Sequence, residues 1–200
     1  MLIRLGTARL GESVVIREAT AADARGIHQV IHRASTETET NLNGDHDSSD
    51  SSEQQQRQLI RRLTARPDDL MLVAEVISQS MIVAVLTCRC KTHPARQHVV
   101  TLGVTVQQDW RGKGIGTRLI QEAVRWARRN DNIRRIEVDV LARSNDMVSL
   151  YSRMGFRVEG RGIGAIYRNG EYLDNYWMAL NVAGDDTTRQ DTGNTPLTPL

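Results

Sequence analysis

The stretch "QQDWRGKGIGTRLI" (107–120) sets three glycines and three cations in a turn that then becomes apolar at helical spacing. Glycine-rich turns hold phosphates in several ways, told apart by where the cations and the following helix fall. A P-loop requires G-x-x-x-x-G-K-[ST], and Gly112 is followed five residues later by Thr117 instead of glycine. A dinucleotide fingerprint fails too, because Leu119 stands where the third glycine after Gly114 and Gly116 belongs. What remains is R-x-x-G-x-G on Arg111, Gly114 and Gly116. Beyond it Ile115, Leu119, Ile120, Ala123, Val124 and Ala127 recur on one helical face. The first helical turn therefore falls at residues 112–117, where unpaired N–H groups and the positive dipole end gather. Glycine lets a diphosphate approach those N–H groups, and Arg111 and Lys113 add charge. The turn is shaped for a diphosphate.

Two other spacings invite chemistry. His28 and His32 stand four apart on a predicted helix, the spacing of a zinc pair. No third ligand accompanies them, so no metal is assigned. Cys88 and Cys90 are the only cysteines, and next-but-one residues of a strand share a face. They read as packing, with no disulfide framework.

The elements that must position these residues alternate in type. "SVVIREAT" (13–20) reads as a strand closed by Thr20 as a helix N-cap, followed by a helix over 21–34. Residues 35–56 read as a long polar loop, and 57–65 as a short helix stopped by Pro67. Residues 70–77 and 81–90 form a hairpin, and 98–106 a third strand leading into the glycine turn. After the helix to about Arg129 come a strand at 133–142 and a short helix at 144–154. A last hairpin turns at "RNG". The order predicts an α/β domain over 13–182, mostly antiparallel, with one strand–turn–helix–strand–helix unit at its centre. Residues 1–12 are an N-terminal extension and 183–200 a polar, uncapped tail expected to be disordered.

Composition sets the outer limits. With 40% hydrophobic and 25% charged residues and a formal charge of +2, the chain has an ordinary globular balance that argues for neither nucleic acid nor membrane surface. No apolar run reaches the ~18 residues of a membrane span, and no signal peptide is legible. A cytoplasmic protein is expected.

"VTVQQDWRGKGIGTRLI" resembles the acetyl-CoA motif of the Gcn5-related N-acetyltransferase (GNAT) superfamily, and "LYSRMGF" (150–156) resembles its second signature. "ARPDDLMLVAEV", "RQHVVTLGVTV" and "EGRGIGAIYRNGEYLDNYWMAL" are similar to a bacterial branch that acetylates free amino acids and related small amines. The likeness covers about residues 14–181. It implies a mostly antiparallel sheet flanked by helices, with a V-shaped splay between the central strands. It also implies direct acetyl transfer from acetyl-CoA to a primary amine, with no metal and no covalent enzyme intermediate.

Carried over by position, the resemblance places backbone groups of Leu102, Gly103, Val104 and Val106 on the pantetheine arm. Arg111, Gly112, Lys113, Gly114, Ile115, Gly116 and Thr117 cradle the diphosphate. Tyr151 matches the tyrosine that serves the departing CoA sulfur, a role suited to a phenol. The family's asparagine lies seven residues before that tyrosine. Here Ser144 is seven before and Asn145 six before, so either fills the place. No carboxylate lies on 98–106, which leaves His98, Glu75 or a water chain as the base that frees the amine. The cations Arg125, Arg128, Arg129, Arg134 and Arg135 read as a solvated face or a 3′-phosphate site.

The resemblance further implies that the acceptor is set by the loop after the first helix and by the last hairpin. The loop carries Glu37, Glu39, Asp45, Asp47, Asp50 and Glu53 and no Lys or Arg, a charge that draws cations and repels carboxylates. An amino acid or related small amine is the expected acceptor, with a polyamine or a protein amine as the alternative. A silent acyl-CoA-binding regulatory module is the non-enzymatic alternative. The resemblance also implies a homodimer paired through the last strand; nucleic acid and membrane are not expected partners.

Overall fold

Period-two alternation along the central strands, broken at one bulge at Ala74/Glu75, divides the apolar residues between two faces of one sheet. In the computed structural model, which describes residues 2–4, 13–37 and 52–183, that sheet has eight strands. They are β1 (Leu2–Arg4), β2 (Val14–Glu18), β3 (Leu70–Val76), β4 (Met81–Cys90), β5 (Val99–Val106), β6 (Arg135–Leu141), β7 (Arg157–Arg168) and β8 (Glu171–Asn181). Their order is β1-β2-β3-β4-β5-β6-β8-β7, and β5–β6 is the one parallel pair. The helices are α1 (Ala24–Glu37), α2 (Glu53–Thr64), α3 (Ile115–Arg129) and α4 (Asn145–Arg153).

The two faces carry separate cores. Leu72, Leu86, Leu102 and Ile136 meet α3 and α4 through Leu119, Ile120 and Tyr151. Met71, Val73 and Val85 meet α1 and α2 through Ile27, Val30 and Ile60. Each such side chain, wholly buried, contributes about 1.5–3 kcal/mol. The parallel link between β5 and β6 requires a crossover helix, and α3 fills that role with its apolar stripe against the sheet. α1 and α2 cover β3–β5, but no β6 or β8 side chain joins their apolar cluster. The far half of that face, beside β6 and β8, is consequently more open.

Three expectations are corrected at their edges. The polar loop is shorter than 35–56, because α1 continues to Glu37 and α2 begins at Glu53. Ser52 caps α2 and shares a reciprocal capping box with Gln55, whose side-chain oxygen accepts from the Ser52 N–H at 2.7 Å. Four polar residues at the helix start hid it from a periodicity reading. Glu53 is not uncompensated either, since Arg57 pairs with it at 2.9 Å. The N-terminal extension contains β1, which adds an antiparallel strand beside β2. Glu39, Asp45, Asp47 and Asp50, and the tail beyond residue 183, lie outside the described residues.

Candidate active site

The turn between β5 and α3 takes its shape from two glycines. Gly112 has φ +70 and Gly114 φ +81, left-handed conformations that side chains with a Cβ resist. Gly114 is the N-cap of α3, and the first intrahelical bond runs from the Arg118 N–H to the Gly114 carbonyl at 3.0 Å. The N–H groups of Ile115, Gly116 and Thr117 precede that bond and are left for another acceptor. A Cβ built on Gly112 or Gly114 would meet nothing within 4 Å, so the space above the turn is open. Lys113 is held over the Trp110 ring, its Nζ 4.5 Å from the centroid. Open space, unpaired N–H groups and a cation fit the diphosphate expected from the sequence.

The strand leading into the turn opens an edge. Lys91 N–H bonds the Val99 carbonyl and Gln107 N–H the Val83 carbonyl, so odd-numbered residues of β5 turn their backbone groups to β4. Even-numbered residues therefore turn theirs toward β6. At His98 they meet β6, and its carbonyl accepts from the Arg134 and Arg135 N–H groups. Pairing with β6 lasts only from Val99 to Thr101. Leu102 stands at the apex of the splay, and Val104 and Val106 turn backbone groups into the gap beyond it. Arg111 Nε donates to the Val106 carbonyl at 3.0 Å across the mouth. Gly103, grouped with these residues in the sequence reading, turns its backbone to β4 instead.

Tyr151 approaches the apex from the α3 face. It is 2% exposed and packs edge-on against Phe156, with ring centroids 5.2 Å apart. Burial pushes its phenol well above the ordinary tyrosine value, with a smaller push from Cys88, which pairs with Leu102 across β4–β5. The phenol thus keeps its proton at the level where the splay opens. Ser144 occupies the N-cap of α4 and Asn145 the first helical position, and the Ser144 side chain makes no cap hydrogen bond. Asn145 is exposed and Ser144 half-buried.

The opposite face holds residues that the sequence reading paired with other roles or passed over. His98 is exposed at the closed end of the splay, four residues before Leu102 and hence about 13 Å from it along the strand. The fold does not bring it to Tyr151. Glu75 is on β3, two strands from the gap, and accepts from Arg17 Nε at 2.7 Å. Ile136, Val138 and Val140 of β6 face α3, so Glu137 and Asp139 project from the other side. Asp139 lies one step beyond the last β5–β6 pair, Thr101 with Glu137, and in continued register would face Gly103. Asn175 Nδ2 donates to Asp139 Oδ1 at 3.2 Å, and Trp177 is the cross-strand neighbour of Asp139 on β8. The sequence does carry a signal for Asp139: in "RIEVDV" the carboxylates alternate with apolar residues.

The other singled-out residues stay apart from the gap. His28 and His32 stack at 6.1 Å, and among the described residues no group of three metal-ligating side chains forms. Glu122 pairs with Arg125 and with Arg118, and Glu137 and Glu159 with Arg135. Part of the basic run is thereby neutralised locally. No helix among the described residues is long and apolar enough to cross a membrane.

Known proteins agree with this geometry. The sequence profile of the acetyltransferase (GNAT) family matches residues 30–156. An L-amino acid N-acetyltransferase of Escherichia coli K12 is 31% identical over 166 residues, 83% of this chain and 96% of that protein. A GNAT-family acetyltransferase from Streptococcus pneumoniae superposes with a TM-score of 0.77 at 23% identity, covering 84% of this chain and 98% of the other. A putative acetyltransferase from Salmonella typhimurium, solved with its cofactor acetyl-CoA, gives 0.76 at 19% identity over 90% and 99%. This chain belongs to the acetyltransferase (GNAT) family and is an N-acetyltransferase.

Proposed function

We propose that this enzyme transfers acetyl from acetyl-CoA to the primary amine of a free amino acid or a related small amine. The observation that carries the acceptor class is the 31% identity to an L-amino acid N-acetyltransferase across nearly the whole of that protein. The charge of the open face supports it. Arg89 of β4 pairs with Thr101 next to the apex, and its alternation places it on the face of Asp139. Burial lowers its pKa from a very high value, which leaves it a cation suited to an acceptor carboxylate.

In this reading the turn from Arg111 to Thr117 holds the diphosphate, and Leu102, Val104 and Val106 offer backbone groups to the pantetheine arm. Ser144, half-buried at the start of α4, is the better placed of the two residues to touch that arm. Acetyl-CoA supplies an activated acyl group whose sulfur leaves as thiolate. Tyr151, still protonated because it is buried, donates to that sulfur as the bond breaks.

The acidic residues expected between α1 and α2 favour a second acceptor, a polyamine or lysine-rich peptide. Labelled acetyl transfer to neutral amino acids, polyamines and peptides separates the two. Acetylation of amino acids, insensitive to salt, is expected. Preference for polycations that fades as salt rises would transfer the assignment to the second class.

A further inference from the structure

We propose that Asp139 is the group that accepts the proton of the incoming amine, oriented by Asn175 of the neighbouring strand. This rests on the acetyl-transfer reading above.

The placement comes from topology. The last β5–β6 pair is Thr101 with Glu137, and Asp139 is the first side chain beyond it on the open face. Tyr151 lies on the α3 face, close enough to Cys88 for the thiol to act on its phenol, and Cys88 pairs with Leu102 at the apex. A donor group on one side of the apex and an acceptor group on the other is the arrangement a transfer through the gap requires. Asp139 is half-buried, so a small amine can reach it.

Its surroundings are built rather than incidental. Asn175 is 3% exposed, spends Nδ2 on Asp139, and has no hydrogen-bond partner for its Oδ1. Trp177 is 51% exposed and lies along the β7 backbone, where a Cβ on Gly160 would come within 2.8 Å of its Cε3. A Cβ on Gly162 would come within 2.3 Å of Asn175 Oδ1 and 3.4 Å of Trp177 Cζ2. Two glycines of β7 thus make room for the amide and for the indole.

The competing carboxylates are committed elsewhere. Glu137 is ringed by Arg96 at 2.8 Å, Arg135 at 3.0 Å and Lys91 at 3.7 Å. Burial raises its carboxyl, but Arg135 and the other two cations more than offset this and hold it below the usual range. Asp139 goes the other way. Burial raises it, Lys91 and the Asn175 amide pull it down, Glu137 pushes it up, and the balance lies above the ordinary aspartate value. Two neighbouring carboxylates with pKa values driven apart leave the higher one as the proton acceptor. Among the described residues, the charges that act on it are Lys91 from the β4 side and Glu137, itself paired with Arg135, from its own strand, and Arg89 shares the face. Again among the described residues, β5 offers Thr101 and Gly103, β8 offers Asn175 and Trp177, and α1, over β4 and β5, carries His28 and His32.

The step balances. The ammonium gives one proton to Asp139, and the freed nitrogen pair forms the C–N bond as the C–S bond breaks. The second nitrogen proton replaces the one that Tyr151 gives to the thiolate, and Asp139 returns its proton to water.

The test compares kcat/KM against pH for the wild type, Asp139→Asn and Asp139→Glu, with acetyl-CoA affinity by calorimetry and the Asp139 carboxyl titrated by NMR. With a carboxylate base, kcat/KM is flat between the carboxyl and amine pKa values and falls below the former. Asp139→Asn should lose ~10²–10⁴-fold at neutral pH, with unchanged acetyl-CoA affinity. Its profile should rise about tenfold per pH unit as free amine appears, closing on the wild type in alkali. Asp139→Glu should restore the flat region. A profile for Asp139→Asn parallel to the wild type, at any level, overturns the proposal alone, as does a carboxyl titrating at or below the ordinary aspartate value. A wild type that transfers acetyl to no amine overturns the parent reading, and this one with it.

Discussion

The Lys113 ammonium lies 4.5 Å from the centre of the Trp110 ring, and Trp110 itself is 7% exposed. A cation held on a buried aromatic cannot wander as a free lysine does, and the contact contributes about 0.5–1 kcal/mol or more when desolvated. It fixes a positive charge between the two left-handed glycines, beside the unpaired N–H groups of α3. Charge, donors and open space converge there before any ligand arrives.

Binding of acetyl-CoA should therefore depend on Gly114. Gly114→Glu places a Cβ at φ +81 and a carboxylate into the open space above the turn. Calorimetry should show a wild-type Kd in the micromolar range, equivalent to about 8 kcal/mol, and no detectable binding for the variant. Unchanged binding would remove the turn from the site.

Tyr151→Phe keeps the ring against Phe156 and removes only the hydroxyl. Steady-state kinetics should give a kcat about 10- to 1,000-fold lower with acetyl-CoA affinity nearly intact. Full kcat in this variant would return Tyr151 to a packing role.

Gly162→Ala is a test of close approach. The added Cβ would sit 2.7 Å from the Ala165 Cβ as well as against Asn175. Thermal unfolding should show a loss of about 1–3 kcal/mol from overpacking. Gly170→Ala, where nothing lies within 4 Å but φ is +84, should lose less, since only backbone strain of about 1–2 kcal/mol applies.

Stability should fall in acid through Asp23. Arg17 donates to both its oxygens, at 2.8 and 2.7 Å, and the Thr20 N–H donates at 2.7 Å. Burial pushes this carboxyl up, but Arg17 and Thr20 more than offset it and hold it below the ordinary value. A depressed folded pKa stabilises above the unfolded value of roughly 3.9, and that stability is lost as pH falls through the folded one. Asp23→Asn should cost about 1–3 kcal/mol at neutral pH and flatten the acid limb of a denaturation series.

The family was legible in the chain itself, and so was the shape of the turn before α3. The glycine spacing, the apolar stripe of α3 and the position of Tyr151 are local, and local patterns fix a turn, a helix face and a register. Strand alternation in "RIEVDV" likewise determined that Glu137 and Asp139 share a face. The sequence could not show where β5 and β6 part, because the length of a ladder is set by packing on both sides of it. That one distance decides that His98 sits at the closed end and Asp139 just beyond the apex. It also decides that Val104 and Val106 turn backbone groups away from β4 into the gap while Gly103 spends its own on β4. Asn175 and the two β7 glycines meet Asp139 only through the β6–β8–β7 order, a pairing between segments far apart in the chain. Local chemistry marked the glycine turn before α3; only the tertiary pairing decided which carboxylate comes first beyond the last β5–β6 pair.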